Sequence, residues 1–209
     1  GMRGTIALES ASMWLLSPLA RLAEHLTGNE SAWDRMTMSV PPKAFGPGSE
    51  LPFAEYFRGE SSVCVRSIDD IISWLQTCEY GADLDLFQKK DHWQHPGTFE
   101  ERRRGDCEDF ALWAWRKLAE VGVEAEFYVG RVVCRDSSRR DRQHAWVVFE
   151  IDGTSFLFEP AARTPPSMIR PLDEAMDDYI PHFAVNHRFE TSAFAGCASE
   201  STAGDDPAS

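Results

Sequence analysis

From Ser17 to Leu26 apolar residues recur at helical spacing (Leu19, Leu22, Ala23, Leu26), with Ser17 suited to cap the N-terminus and Pro18 to the first turn. A second apolar face, Ile68, Ile71, Ile72 and Leu75, follows Ser67, with Asp69 and Asp70 in the turn where the helix dipole favours acids. The longest such face carries Phe110, Ala111, Leu112, Ala114, Trp115, Leu118 and Ala119 and stops at Gly122, which predicts a buried helix opening at Cys107. Beyond Gly122 the period changes. Runs rich in aromatic and β-branched residues, 124–133, 145–151 and 155–158, predict three antiparallel strands, with Asp152-Gly153 as a hairpin turn between the last two. Residues 172–179 read as a further helix and 183–189 as a further strand.

Between these elements, 40–59 is rich in proline and glycine and reads as an irregular connection, and the polar stretch 81–104 as an extended loop leading to Cys107. From Ala198 onward no periodicity survives. The pattern therefore predicts an α+β fold, a single domain over 1–197 with its core at about 67–190, extra N-terminal helices and a disordered tail at 198–209. The apolar patch Met13–Leu16 is too short and too closely flanked by Glu9 and Pro18 for a membrane span or a leader.

At 209 residues, 43% of them hydrophobic and 26% charged, the chain can bury a core without staples. A net charge of −13 argues against a phosphate-backbone partner, so neither nucleic acid nor a membrane is expected. Five cysteines, an odd count without CxxC spacing, suit a reducing, cytoplasmic setting. Oligomeric state has no sequence signal. Two basic runs, Arg102–Arg104 and Arg139–Arg142, precede Cys107 and His144; they read either as solvated loops or as the rim of one cleft favouring a substrate with negative groups.

A thiol is a poor nucleophile until deprotonated, and a helix N-terminus supplies both a field favouring the thiolate and free N–H groups for an oxyanion. Cys107, flanked by the polar Gly105, Asp106, Glu108 and Asp109, has that placement. His144, opening the strand His144-Ala145-Trp146-Val147, is the candidate base, and Glu159, near the end of the following hairpin strand, the candidate acceptor that fixes its tautomer. A zinc site from His92, His95, Cys107 and His144 lacks any standard spacing.

Gly105-Asp106-Cys107-Glu108-Asp109-Phe110-Ala111, then His144-Ala145-Trp146-Val147, then Phe158-Glu159-Pro160 resemble the three motifs of transglutaminase-like cysteine proteins. The resemblance spans about half the chain. It implies a papain-like core, with the cysteine helix packed on an antiparallel sheet, and acyl transfer or hydrolysis at a peptide or amide bond through a thioester on Cys107; a non-catalytic scaffold of the same fold is the alternative. The family usually carries Asp where Glu159 stands, so Asp152 and Asn186 are competing third members. No cofactor is required for such chemistry. The resemblance also implies calcium at Asp106 and Glu108, for which helix capping is the competing use. It places Trp93 and Gln94 near the oxyanion site, although Trp93 reads better as core.

Overall fold

The computed structural model describes residues 31–136 and 142–201. An antiparallel seven-stranded sheet forms its centre, in the order β1 (Arg35–Thr37), β9 (Thr191–Phe194), β8 (Tyr179–Asn186), β4 (Ala125–Val132), β5 (Arg142–Ile151), β6 (Thr154–Phe158) and β7 (Ile169–Pro171). The central strands alternate their side chains between two faces. One set, Phe127, Val129, Ala145, Val147, Phe149 and Val185, meets the buried face of the Cys107–Glu120 helix. The other set, Tyr128, Trp146, Leu157, Ala184 and Phe194, forms a second aromatic layer. This is the α+β layering that the periodicities predict, a helix on an antiparallel sheet.

The β5–β6 hairpin turns at Asp152 (φ 51°) and Gly153 (φ 77°), the two positive dihedrals that a type I′ turn requires. Across β4 and β8 the register shifts between Val129 and Gly130. A Cβ on Gly130 would press into the Ile180 carbonyl and lie 2.8 Å from the Trp146 ring, so only glycine allows this close crossing.

The structure departs from the sequence reading in several places, and 40–59, read as an irregular connection, contains the helical turn Pro42–Phe45 and the 3₁₀ turn Phe53–Phe57. The stretch 81–104 is not a continuous loop: Pro96–Arg102 is a helix, with Pro96 at its first turn and the His95 ring accepting from the Gly97 N–H at 3.1 Å. Residues 172–179 hold only the Leu172–Ala175 turn and a 3₁₀ turn, after which Tyr179 already belongs to β8, a strand that ends at Asn186 rather than near 189. The last helix runs Ala195–Ser201, so 198–201 are helical where no structure was expected. The Ile68–Leu75 helix forms as anticipated, capped by Ser67 accepting from the Asp70 N–H. The helix expected from Ser17 lies outside the described residues. No helix of the described residues is long and apolar enough to cross a membrane.

Candidate active site

The approach to Cys107 is fixed by a short parallel strap, β2 (Glu79–Tyr80) beside β3 (Arg104–Gly105), closed by the Glu79 N–H to the Arg103 carbonyl and the Gly81 N–H to the Gly105 carbonyl, both 2.8 Å. Asp106 is extended and Cys107 is the first helical residue. Beneath them the buried Asp109 carboxylate accepts from the Gln94 N–H (2.7 Å), the Gln94 Nε2 amide (2.7 Å) and the Asp106 N–H (3.2 Å). Gly105 leaves room for this anchor, because a Cβ there would lie 2.8 Å from both the Gln94 amide and the Asp109 Cβ. Gln94 is thus an anchor beneath the helix start, 1% exposed, and is not positioned as the oxyanion-site residue that the resemblance implies; Trp93 is core.

The Cys107 thiol is 9% exposed and donates to Glu108 Oε2 at 3.1 Å, while the Ala145 N–H donates to the sulfur. Burial, then the Glu108 and Asp106 charges, push the thiol well above its ordinary value, opposite to the helix-terminus field. The same crowding of carboxylates raises Asp106 to about 10 and Asp109 to about 7, each led by burial, and raises Asp83. Asp83, Asp106 and Asp109 bring one carboxylate oxygen each within 4.8 Å of the others. Asp83 Oδ1 and Asp106 Oδ1 are buried without a hydrogen-bond partner. Of the two residues expected to hold calcium, Asp106 falls in this group and Glu108 turns to the thiol. Capping is realised by Asp109, which receives the Asp106 N–H.

His144 stands on the opposite wall, as the third residue of β5. Its Nε2 lies 2.9 and 2.7 Å from the two Glu159 oxygens, with both side chains largely buried. Glu159 is held from two more directions: its N–H donates to the Met168 carbonyl at 2.7 Å, and the Tyr179 hydroxyl donates to its Oε1 at 2.5 Å. Burial and the Glu159 charge push the Tyr179 hydroxyl far up, so it remains a donor. The Trp146 ring lies beneath the imidazole at 6.2 Å and 24°. Of the competing third members, Asp152 is in the distal hairpin turn and Asn186 serves the β8–β9 turn by accepting from the Arg188 and Glu190 N–H groups. His95 caps its helix and is not grouped with Cys107.

Cys107, His144, Glu159 and Tyr179 line one cleft of about 510 Å³. Arg142 lines it too, whereas the run Arg102–Arg104 does not: Arg102 lies over Phe87 at 4.9 Å and Arg103 over Trp74 at 5.7 Å. Residues 139–141 lie outside the described residues. The sequence reading missed Tyr179, concealed in an apparent helix, and Asp83, one acid in a polar stretch; neither carries a local signal.

No family model and no curated protein matches the chain. Among solved structures it is similar to Legionella pneumophila LapG, with 19% identity and a TM-score of 0.45 over 73% of this chain and 75% of that one. Calcium-bound LapG aligns with 19% identity and a TM-score of 0.45 over 68% and 76%. An arylamine N-acetyltransferase of Bacillus cereus, described as having a Cys-His-Glu catalytic triad, aligns with 16% identity and a TM-score of 0.41 over 65% of this chain and 54% of that one.

Proposed function

We propose that this chain is a thiol enzyme that cleaves or transfers acyl groups at peptide or amide bonds, with Cys107 as nucleophile, His144 as base and Glu159 as the group that orients it. The observation that carries the reading is the His144–Glu159 pair, 2.7 Å apart, opening into the same cleft as a cysteine on the first turn of a helix. Because Nε2 is taken by Glu159, Nδ1 is the nitrogen that receives the thiol proton. The Cys107 sulfur attacks the carbonyl carbon, and the carbonyl electron pair moves to the oxygen, where first-turn N–H groups stabilise it. The C–N bond then breaks, the amine leaves with the proton held by His144, and a thioester remains. Attack by water, or by an amine in the transfer case, releases the acyl group and restores the thiol. Tyr179 holds the longer glutamate side chain in place.

The donor set of Asp83, Asp106 and Asp109 fits a hard divalent cation such as calcium, since two of its buried oxygens lack partners and burial with mutual repulsion, which a cation would offset, raises all three carboxyls. A cation bound there would supply positive charge near the thiol and would offset the carboxylates that raise it.

The test is alkylation with iodoacetamide at neutral pH, read by peptide mass spectrometry. Cys107 is expected to react faster than the same cysteine in denatured protein, and His144→Ala to abolish the difference. The Cys107–Glu108 hydrogen bond favours a second reading, a non-catalytic module with a silent thiol. Equal rates in folded and denatured protein, with calcium present and absent, would establish that reading instead.

A further inference from the structure

Two clefts share Gln143 and His144 in their walls, and Cys107 lines the first of them. One is the 510 Å³ cleft just described, and the other, about 350 Å³, extends past Glu108 toward the Lys43–Pro47 segment. Their charges differ. The first is lined by Arg142 and Arg163, and its one lining carboxylate, Glu159, is already engaged by His144 and Tyr179. The second is lined by Asp91 and Glu108, with Lys43 as its one lysine or arginine. Arg142 opens β5 and Arg163 follows β6, so two exposed arginines from different connections line the same cleft. The other walls are the apolar Val132, Ala161 and Ala162 and the polar Tyr80 and Gln143, so the two arginines are the cleft's lysine or arginine charges.

Resting on the reading of Cys107 as nucleophile, we infer that the substrate is a polypeptide segment carrying a carboxylate side chain beside the reacting amide, seated on Arg142 and Arg163. A planar guanidinium matches a carboxylate in two parallel hydrogen bonds, which lysine cannot do. An exposed arginine pair contributes little in open water, but a cleft with apolar walls concentrates its field. The acidic second cleft repels the same carboxylate, so the charge difference sets the direction in which the segment lies. Exclusion of long cationic segments from the first cleft follows from the same arrangement.

Two measurements on the full chain test this. The first is the ratio of Cys107 alkylation rates with iodoacetate, an anion, and iodoacetamide, its neutral counterpart. The wild-type ratio is expected to exceed that of Arg142→Gln/Arg163→Gln by about fivefold at low salt, from two charges several ångströms away, and to shrink toward it in 1 M NaCl. Arg102→Gln removes a charge from the run outside the cleft and is expected to keep the wild-type ratio. A ratio unchanged in the double variant, or lowered equally by Arg102→Gln, overturns the inference. Because the ratio reads the field at Cys107 even for a slow thiol, it is separable from failure of the nucleophile reading, which appears in the absolute rate. The second measurement is protection of Cys107 from iodoacetamide by acetyl-Glu-Glu-Ala-Ala-Gly-Gly-amide against its Lys-Lys counterpart. Protection by the acidic peptide alone, lost in the double variant, is expected; equal protection by both peptides, or by neither, refutes it.

Discussion

Replacing Asp106 with asparagine removes the most strongly perturbed carboxyl of the acidic cluster while keeping its size, and the effect on stability follows from proton linkage. An aspartate ordinarily near 3.8 is raised to about 10 in the folded protein by burial and by Glu108 and Asp109, so the folded state holds a proton that the unfolded chain has released. A carboxyl raised in this way contributes stability that is complete below about pH 4 and is lost as pH rises through the folded value. Between pH 5 and pH 8 the loss amounts to about 1.4 kcal/mol per pH unit, or about 4 kcal/mol as a ceiling; the solvent access of a half-buried group brings it nearer 2 kcal/mol. Asp109, raised to about 7, adds a loss of the same sign that ends near neutrality. The half-buried His187, lowered by desolvation, works in the opposite direction below neutrality. The assay is urea unfolding followed by tryptophan fluorescence at pH 5 and pH 8 with EDTA, comparing wild type with Asp106→Asn, so that common titrations cancel. The variant is expected to be the more stable at pH 8 by about 2 kcal/mol, with the advantage shrinking at pH 5. A difference that is absent, or larger at pH 5, would refute the linkage.

Lys117 is fully buried and donates to Ser61 Oγ, the Val63 carbonyl and Glu120, with Glu100 3.4 Å away. Lys117→Met therefore strands the Glu100 charge and should cost about 3–5 kcal/mol in chemical denaturation, while Lys117→Met/Glu100→Gln should recover part of it. Gly130→Ala is expected to lower stability by about 1–3 kcal/mol through the clash with Ile180 and Trp146; an unchanged melting temperature would contradict the β4–β8 crossing. Tyr179→Phe deletes a hydrogen bond to a charged acceptor and should cost about 1.5–3 kcal/mol. Since the hydroxyl keeps its proton well beyond pH 9, unfolding curves at pH 6 and pH 9 should give the same loss. Calcium at millimolar concentration should raise the melting temperature of wild type at pH 8 and leave that of Asp83→Asn unmoved.

The elements legible from local pattern are those whose signal and burial coincide. The apolar positions from Phe110 to Leu118 mark the helix, which is buried on every side from Asp109 to Leu118 so that Trp113, Arg116 and Lys117 are enclosed as well, and Asp152-Gly153 marks its turn because few dipeptides tolerate two positive dihedrals. Cys107, His144 and Glu159 stood out through motif and order, and the structure brings all three to one cleft. Pro181 hid the start of β8, since a proline within an apparent strand argues against one; here it sits opposite Gly130, where the register breaks. The Pro96–Arg102 helix has only Pro96 and Phe99 as apolar anchors and is stabilised by packing against the cysteine helix. Tyr179 and Asp83 acquire their places from pairings made by other segments. The direction of the thiol's shift was likewise hidden, because helix position alone does not reveal how many carboxylates converge on the sulfur.

The two walls of the site close over short stretches of chain. The Gln94–Asp109 anchor and the Glu79–Arg103 strap join residues 79–109, while the His144–Glu159–Tyr179 chain joins residues 144–179. Loop-closure entropy is modest for each wall, and their meeting waits on the cysteine helix docking against β4 and β5. Each wall is thus able to form before the cleft between them exists. In refolding kinetics, substitutions at Asp109 and Glu159 should slow folding to different extents, each reporting its own wall. The raised alkylation rate of Cys107 should develop only in the last phase, when the two walls are joined.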